Sequence, residues 1–158
     1  MVPFAQTRSS LPRRFLFGFL AGFVSTLTFH QITIALLAAW GVLQTSAYDL
    51  RPVPPLGTPQ VINLAFWGGV WGCVWALIAP HAPRSVPVWL AGLAFGALLP
   101  SLVGWLVVAP LKGQPIAAGW NVARLWIAPV VNGLWGLGTA LLYALLTRLG
   151  SGRRSWVP

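Results

Sequence analysis

Residues 61–79, VINLAFWGGVWGCVWALIA, contain no charged side chain, and as an α-helix they would extend about 28 Å at 1.5 Å per residue. That matches the roughly 30 Å hydrocarbon core of a bilayer. Working outward, residues 48–60 (YDLRPVPPLGTPQ) hold four prolines and a glycine, which deny a continuous helix its hydrogen bonds and mark a loop. Before that loop an apolar run extends from Phe15 to about Ala47. Wholly helical, it would measure nearly 50 Å, so it must tilt, break near Gly41 or project into the headgroup layer. On the other side, the turn from Pro80 to Arg84 closes the second run. Val86 to Ala109 forms a third, with Pro100 as an expected kink. After a loop from Pro110 to about Asn121, Leu125 to Thr147 forms a fourth, with Pro129 near its first turn, where the missing donor costs least.

The pattern predicts an all-α fold, an integral membrane four-helix bundle with short loops. Its helices are expected at about 15–47, 61–79, 86–109 and 125–147, making a transmembrane domain over 15–147. A basic N-terminus (1–14) and a basic tail (148–158) flank it. Ten Lys and Arg residues stand against a single acid, Asp49, giving a net charge of +9. These cations sit at the edges of the apolar runs, where they fit anionic lipid headgroups rather than nucleic acid. With both termini cytoplasmic, Arg8, Arg13, Arg14, Arg84, Arg148, Arg153 and Arg154 lie inside, and Arg51, Lys112 and Arg124 outside. This bias predicts a multi-pass protein of the bacterial inner membrane with cytoplasmic N and C termini. The Arg13-Arg14 pair partly resembles a twin-arginine export signal, but the apolar run behind it is too long for one and no Ala-x-Ala site closes it. Asp49 falls in the outer loop two residues from Arg51, a local surface pair contributing little.

Catalysis loses most of its usual groups. General acid–base chemistry needs positioned titratable side chains, and within the spans only His30 qualifies, with Cys73 and Tyr143 as weak additions. Ser25 and Ser101 are candidate partners for His30, although their spacing does not argue for it. No paired carboxylates, phosphate-cradling loop or metal-ligand set is present, and the single cysteine forms no framework. The residues therefore imply no catalytic group, no metal and no identifiable cofactor. His81 lies in a turn at the opposite end from His30.

His30 and Gln31 are the sharpest polar feature, because His30 follows Gly22 and Thr26 at helical spacing and so faces the bundle interior. An intramembrane ionisable group is a functional-site hypothesis; the alternative is a neutral histidine bonded to Asn63, Asn132 or a backbone carbonyl. Trp71 falls near the middle of its span, and an indole stripe of Trp67, Trp71 and Trp75 offers a stacking surface for a flat ligand or a packing face. His30, Gln31, Asn63, Asn132 and Trp71 are thus the candidate ligand-binding residues. Small residues at spacing four (Gly18, Gly22, Thr26; Gly68, Gly72; Gly92, Gly96, Gly104) let helix backbones approach, in a bundle or a homodimer seam. An internal repeat is suggested by residues 89–92 echoing 19–22 at an offset of 70, and Asn132 echoing Asn63 at 69.

The segments GFLAGFVSTLTFHQ (18–31), PLGTPQVINLAFWGGVWG (55–72) and VVNGLWGLG (130–138) resemble a set of small, uncharacterised bacterial inner-membrane proteins with four predicted spans. The resemblance covers most of residues 15–145 and implies a fold and a compartment but no activity. The leading expectation is a non-enzymatic accessory or structural subunit that packs against lipid and against a membrane-protein partner or a homo-oligomer copy. The alternative is a small-solute or hydrophobic-ligand carrier (quinone, pigment or haem) with a polar site around His30. A lipid-modifying enzyme is a third, weaker reading.

Overall fold

In the computed structural model of the chain, described over residues 10–83 and 85–151, four helices are long and apolar enough to cross a membrane. They are α1 (Leu11–Ala39), α2 (Gln60–His81), α3 (Val88–Leu111) and α4 (Val122–Gly150). Together they form the expected all-α four-helix bundle of a multi-pass membrane protein. The basic residues Arg8, Arg84, Arg153 and Arg154 lie outside the described residues.

The first helix differs from its expected bounds at both ends. It starts at Leu11 because Pro12 sits in the first turn, where its missing N–H is no loss. This places Arg13 and Arg14 on the helix, where they cap two antiparallel neighbours. Arg13 donates to the Gly150 carbonyl of α4 and Arg14 to the Ala76 carbonyl of α2, toward the ends where the helix dipole favours a cation. The helix stops at Ala39 and not near Ala47, because Gly41 adopts φ +74°. The Val42 amide then turns back to the Leu37 carbonyl (2.9 Å) and the Gly41 amide to Ala38 (3.0 Å). Residues 42–47 (VLQTSA) carry no charge and are not helical.

The proline-rich loop carries two short antiparallel strands, β1 (Pro52–Val53) and β2 (Thr58–Pro59). Tyr48 ties it to α1, its amide donating to Gln31 Oε1 (2.8 Å) and its hydroxyl to the Leu27 carbonyl (2.8 Å). α3 continues through Pro100 and then widens into a π turn, Gly104–Val108, as α1 does at Thr26–His30. Pro100 brings no N–H to the Gly96 carbonyl one turn earlier.

Packing is by pairs. α1 lies tightly on α2 and α3 on α4; α1 and α4 join the pairs, whereas α2 and α3 scarcely touch. The close approaches need glycine. A Cβ on Gly18 would meet the Gly72 carbonyl and the Ala76 Cβ, while one on Gly92 would meet the Gly136 carbonyl and the Ala140 Cβ. A Cβ on Gly22 would strike the Gly68 carbonyl and Gly72 Cα, while one on Gly96 would strike the Asn132 carbonyl and Gly136 Cα. These matched contacts equate Gly18 with Gly92 and Gly22 with Gly96, an offset of 74; they equate Gly72 with Gly136 and Ala76 with Ala140, an offset of 64. The sequence agrees, since Gly69-Val70-Trp71-Gly72 and Ala76-Leu77 match Gly133-Leu134-Trp135-Gly136 and Ala140-Leu141 at 64, and Leu16-x-Gly18 matches Leu90-x-Gly92 at 74. The chain is two parallel helix pairs in tandem, with registers of 74 and 64 in place of the expected 70 and 69.

Candidate functional site

The gap between α2 and α3 is filled unequally along its length. Toward the end holding Ser10 and Gly150, Phe95 of α3 packs against Trp75 (ring centroids 5.3 Å), Trp71 (6.1 Å) and Trp135 (6.2 Å). These rings plug that half. In the other half a cavity of about 210 Å³ remains, lined from all four helices. α1 supplies Thr26 and His30; α2 supplies Leu64, Trp67, Gly68 and Trp71; α3 supplies Pro100 and Gly104; α4 supplies Asn132 and Trp135. Leu64 and Trp67 are exposed, so the cavity reaches the bundle surface along the α2–α3 seam.

A second cavity of about 350 Å³ continues toward the loops, bounded by Ile34, Leu43, Trp105, Ala118, Arg124, Ile127 and Val131. His30 and Asn132 line both spaces. Ala118 belongs to a turn in which Ala117, Ala118 and Trp120 hold positive φ, a conformation that costs about 1–2 kcal/mol per non-glycine residue.

The polar groups at the cavity are sparsely partnered. His30 Nδ1 is buried with no hydrogen bond, whereas most buried polar atoms in proteins have a partner. Asn132 Nδ2 donates to Ser101 Oγ (3.0 Å), and its carboxamide oxygen has no partner among the described residues. The indole N–H groups of Trp67 and Trp71 are likewise unbonded among the described residues. Thr26 is satisfied, its hydroxyl donating to the Gly22 carbonyl (2.9 Å). No side chain lining the first cavity is an acid, Lys or Arg.

Of the residues singled out from sequence, His30, Asn132 and Trp71 come together here. Gln31 does not, because its carboxamide oxygen anchors the Tyr48 amide; Asn63 lines neither cavity. Ser25 and Ser101 do not bond His30: Ser25 Oγ donates to the Trp135 carbonyl (2.6 Å) and Ser101 Oγ accepts from Asn132. His81 Nδ1 lies 3.0 Å from the Leu77 carbonyl, at the far end of α2. Sequence reasoning missed Pro100, Gly104 and Trp135 as lining residues. The Gly-x-Trp-Gly match of 69–72 to 133–136 would have found Trp135.

Outside the spans, Arg51 Nε bonds both Asp49 oxygens (3.0 and 2.8 Å) and its amide bonds Oδ1 (2.9 Å). These hydrogen bonds hold the Asp49 carboxyl below its ordinary pKa and raise that of Arg51. The only acid in the chain is thereby paired away from both cavities.

No family model, curated protein or solved structure matches the chain. The chemistry of the site therefore rests on its own geometry.

Proposed function

We propose that this multi-pass membrane protein binds a small hydrophobic ligand, taken from the bilayer through the α2–α3 seam, in the cavity at His30. The observation that carries this is a buried, unpartnered His30 Nδ1 beside a cavity to which every helix contributes. An unmet buried polar group costs about 1–3 kcal/mol, a cost that a ligand able to pair with it would offset. The cation bias supports an inner-membrane location with cytoplasmic termini. The cavities then lie in the outer half of the bilayer.

The accessory-subunit reading drew on the small-residue stripes, the Trp surface and the scarcity of catalytic groups. Those stripes are engaged within the chain except at Gly104, Gly18 and Gly22 lying against Gly68 and Gly72, and Gly92 and Gly96 against Gly136. The geometry therefore favours ligand binding.

The test is purification in mild detergent, followed by absorption spectroscopy and mass spectrometry of the co-purifying small molecules. Gly104→Leu provides the control, because Gly104 lines the cavity, holds φ −56° and has nothing within 4 Å of an added Cβ. A stoichiometric small molecule that is lost from Gly104→Leu and from His30→Ala, with the fold intact, is expected. If both variants retain the same bound species as the native chain, the cavity is not the binding site.

A further inference from the structure

The geometry points to a flat, neutral amphiphile bearing a carbonyl oxygen, of which a quinone is the simplest example, as the ligand, with Trp71 Nε1 donating the hydrogen bond that recognises it. This rests on the ligand-binding reading above and specifies its chemistry.

The tandem repeat supplies the argument. Trp71 and Trp135 occupy the same position in the two pairs, at the offset of 64 that also relates Gly72 to Gly136. Across the α1–α4 seam, Trp135 Nε1 donates to the Gly22 carbonyl at 3.0 Å. At this position the repeat thus directs an indole N–H across the seam onto a carbonyl of the neighbouring pair. The counterpart of Gly22 at an offset of 74 is Gly96, whose carbonyl has lost its helical donor at Pro100. Yet Trp71 makes no such bond, and the cavity lies in this seam, lined by Trp71 and Pro100. The donor is present, and its counterpart acceptor, the Gly96 carbonyl, does not receive it. A ligand carbonyl reaching Trp71 would supply the acceptor that the Gly22 carbonyl supplies in the other seam.

The rest of the lining narrows the class. Within the first cavity a charged group would meet no counter-charge and would bear the desolvation cost of an ion in hydrocarbon. Trp67, Trp71 and Trp135 offer aromatic surface suited to a planar ring. His30 Nδ1, in the tautomer that carries the proton there, would donate to a second carbonyl on that ring, whereas the Asn132 carboxamide oxygen accepts and would pair only with a hydroxyl.

The experiment uses the full chain in detergent and three probes: a benzoquinone with a decyl tail, decylbenzene, and decanoate. Binding is read from the rise in thermal midpoint across a titration. The quinone is expected to bind about tenfold tighter than decylbenzene, the equivalent of one hydrogen bond. Trp71→Phe should remove that advantage and leave decylbenzene unchanged. Equal binding of quinone and decylbenzene, an unchanged quinone affinity in Trp71→Phe, or preference for decanoate would overturn the carbonyl assignment and leave the cavity as a ligand site. No binding of any probe, together with an unaltered co-purifying species in Gly104→Leu, would overturn both readings.

Discussion

Across the α1–α4 seam, Trp135 sends its indole N–H to the Gly22 carbonyl and Ser25 its hydroxyl to the Trp135 carbonyl. Across the α2–α3 seam the counterparts are Trp71, Gly96 and Leu99, and neither bond forms: Leu99 has no hydroxyl, and the Trp71 indole N–H is unbonded among the described residues. A third difference is steric. Gly138 leaves room for the Phe29 ring and Ser25 Oγ, whereas its counterpart in the other seam is Val74. One arrangement of residues has been used twice, and a few substitutions leave the second seam open over a cavity. The energetic asymmetry follows, because among the described residues only the first seam carries side-chain hydrogen bonds across it, in both directions.

The largest effect should come from placing the open seam's residue in the closed one. Gly138→Val puts a Cβ against the Phe29 ring and Ser25 Oγ, and overpacking of this kind costs about 3 kcal/mol. A fall in thermal midpoint in detergent would register it. The contrasting variant, Gly104→Leu, enters open space in the other seam and should change stability by no more than about 0.5 kcal/mol. If the two variants are equally harmful, the seams do not differ as described.

A smaller and more specific test exchanges the tryptophans. Trp135→Phe keeps the ring and removes the N–H given to Gly22; that carbonyl still accepts from the Thr26 hydroxyl, so the cost should be about 1 kcal/mol. Trp71→Phe removes a donor that has no acceptor among the described residues, and its stability should match the native protein within about 0.5 kcal/mol. Equal losses in thermal midpoint would mean that Trp71 already has an intramolecular partner.

The spans were legible because twenty or so apolar residues admit few alternatives to a membrane helix. The end of α1 was not, since residues 42–47 stay uncharged after Gly41 has turned the chain. Within the site, His30 and Asn132 stood out as polar groups in apolar runs, and Trp71 by its depth. Gln31 and Asn63 stood out for the same reason, but a polar residue in a helix says nothing of whether its partner is a loop amide or a cavity. The repeat was misregistered for a definable reason. The connection 40–59 between α1 and α2 is ten residues longer than the connection 112–121 between α3 and α4, so no single offset aligns both halves. Only backbone contacts between glycines recover the two registers, and with them the equivalence of Trp71 and Trp135.

The longer connection carries the one acid, which makes the two pairs differ in their response to pH. Among the described residues, Asp49 and Arg51 form the only ion pair, in the loop joining α1 to α2; the loop joining α3 to α4 has no acidic side chain. Because the folded-state pKa of Asp49 is depressed by Arg51, the pair contributes stability above the unfolded carboxyl value of about 3.9. That contribution is lost as the pH falls through the lower folded value. The pair is exposed, so its effect should be smaller than that of Trp135→Phe. It is isolated by comparing thermal midpoints of the native chain and Asp49→Asn at pH 5 and pH 2.5. The two should differ slightly at pH 5 and converge at pH 2.5, and a difference that persists in acid would mean that Asp49 acts through its shape and backbone contacts rather than its charge.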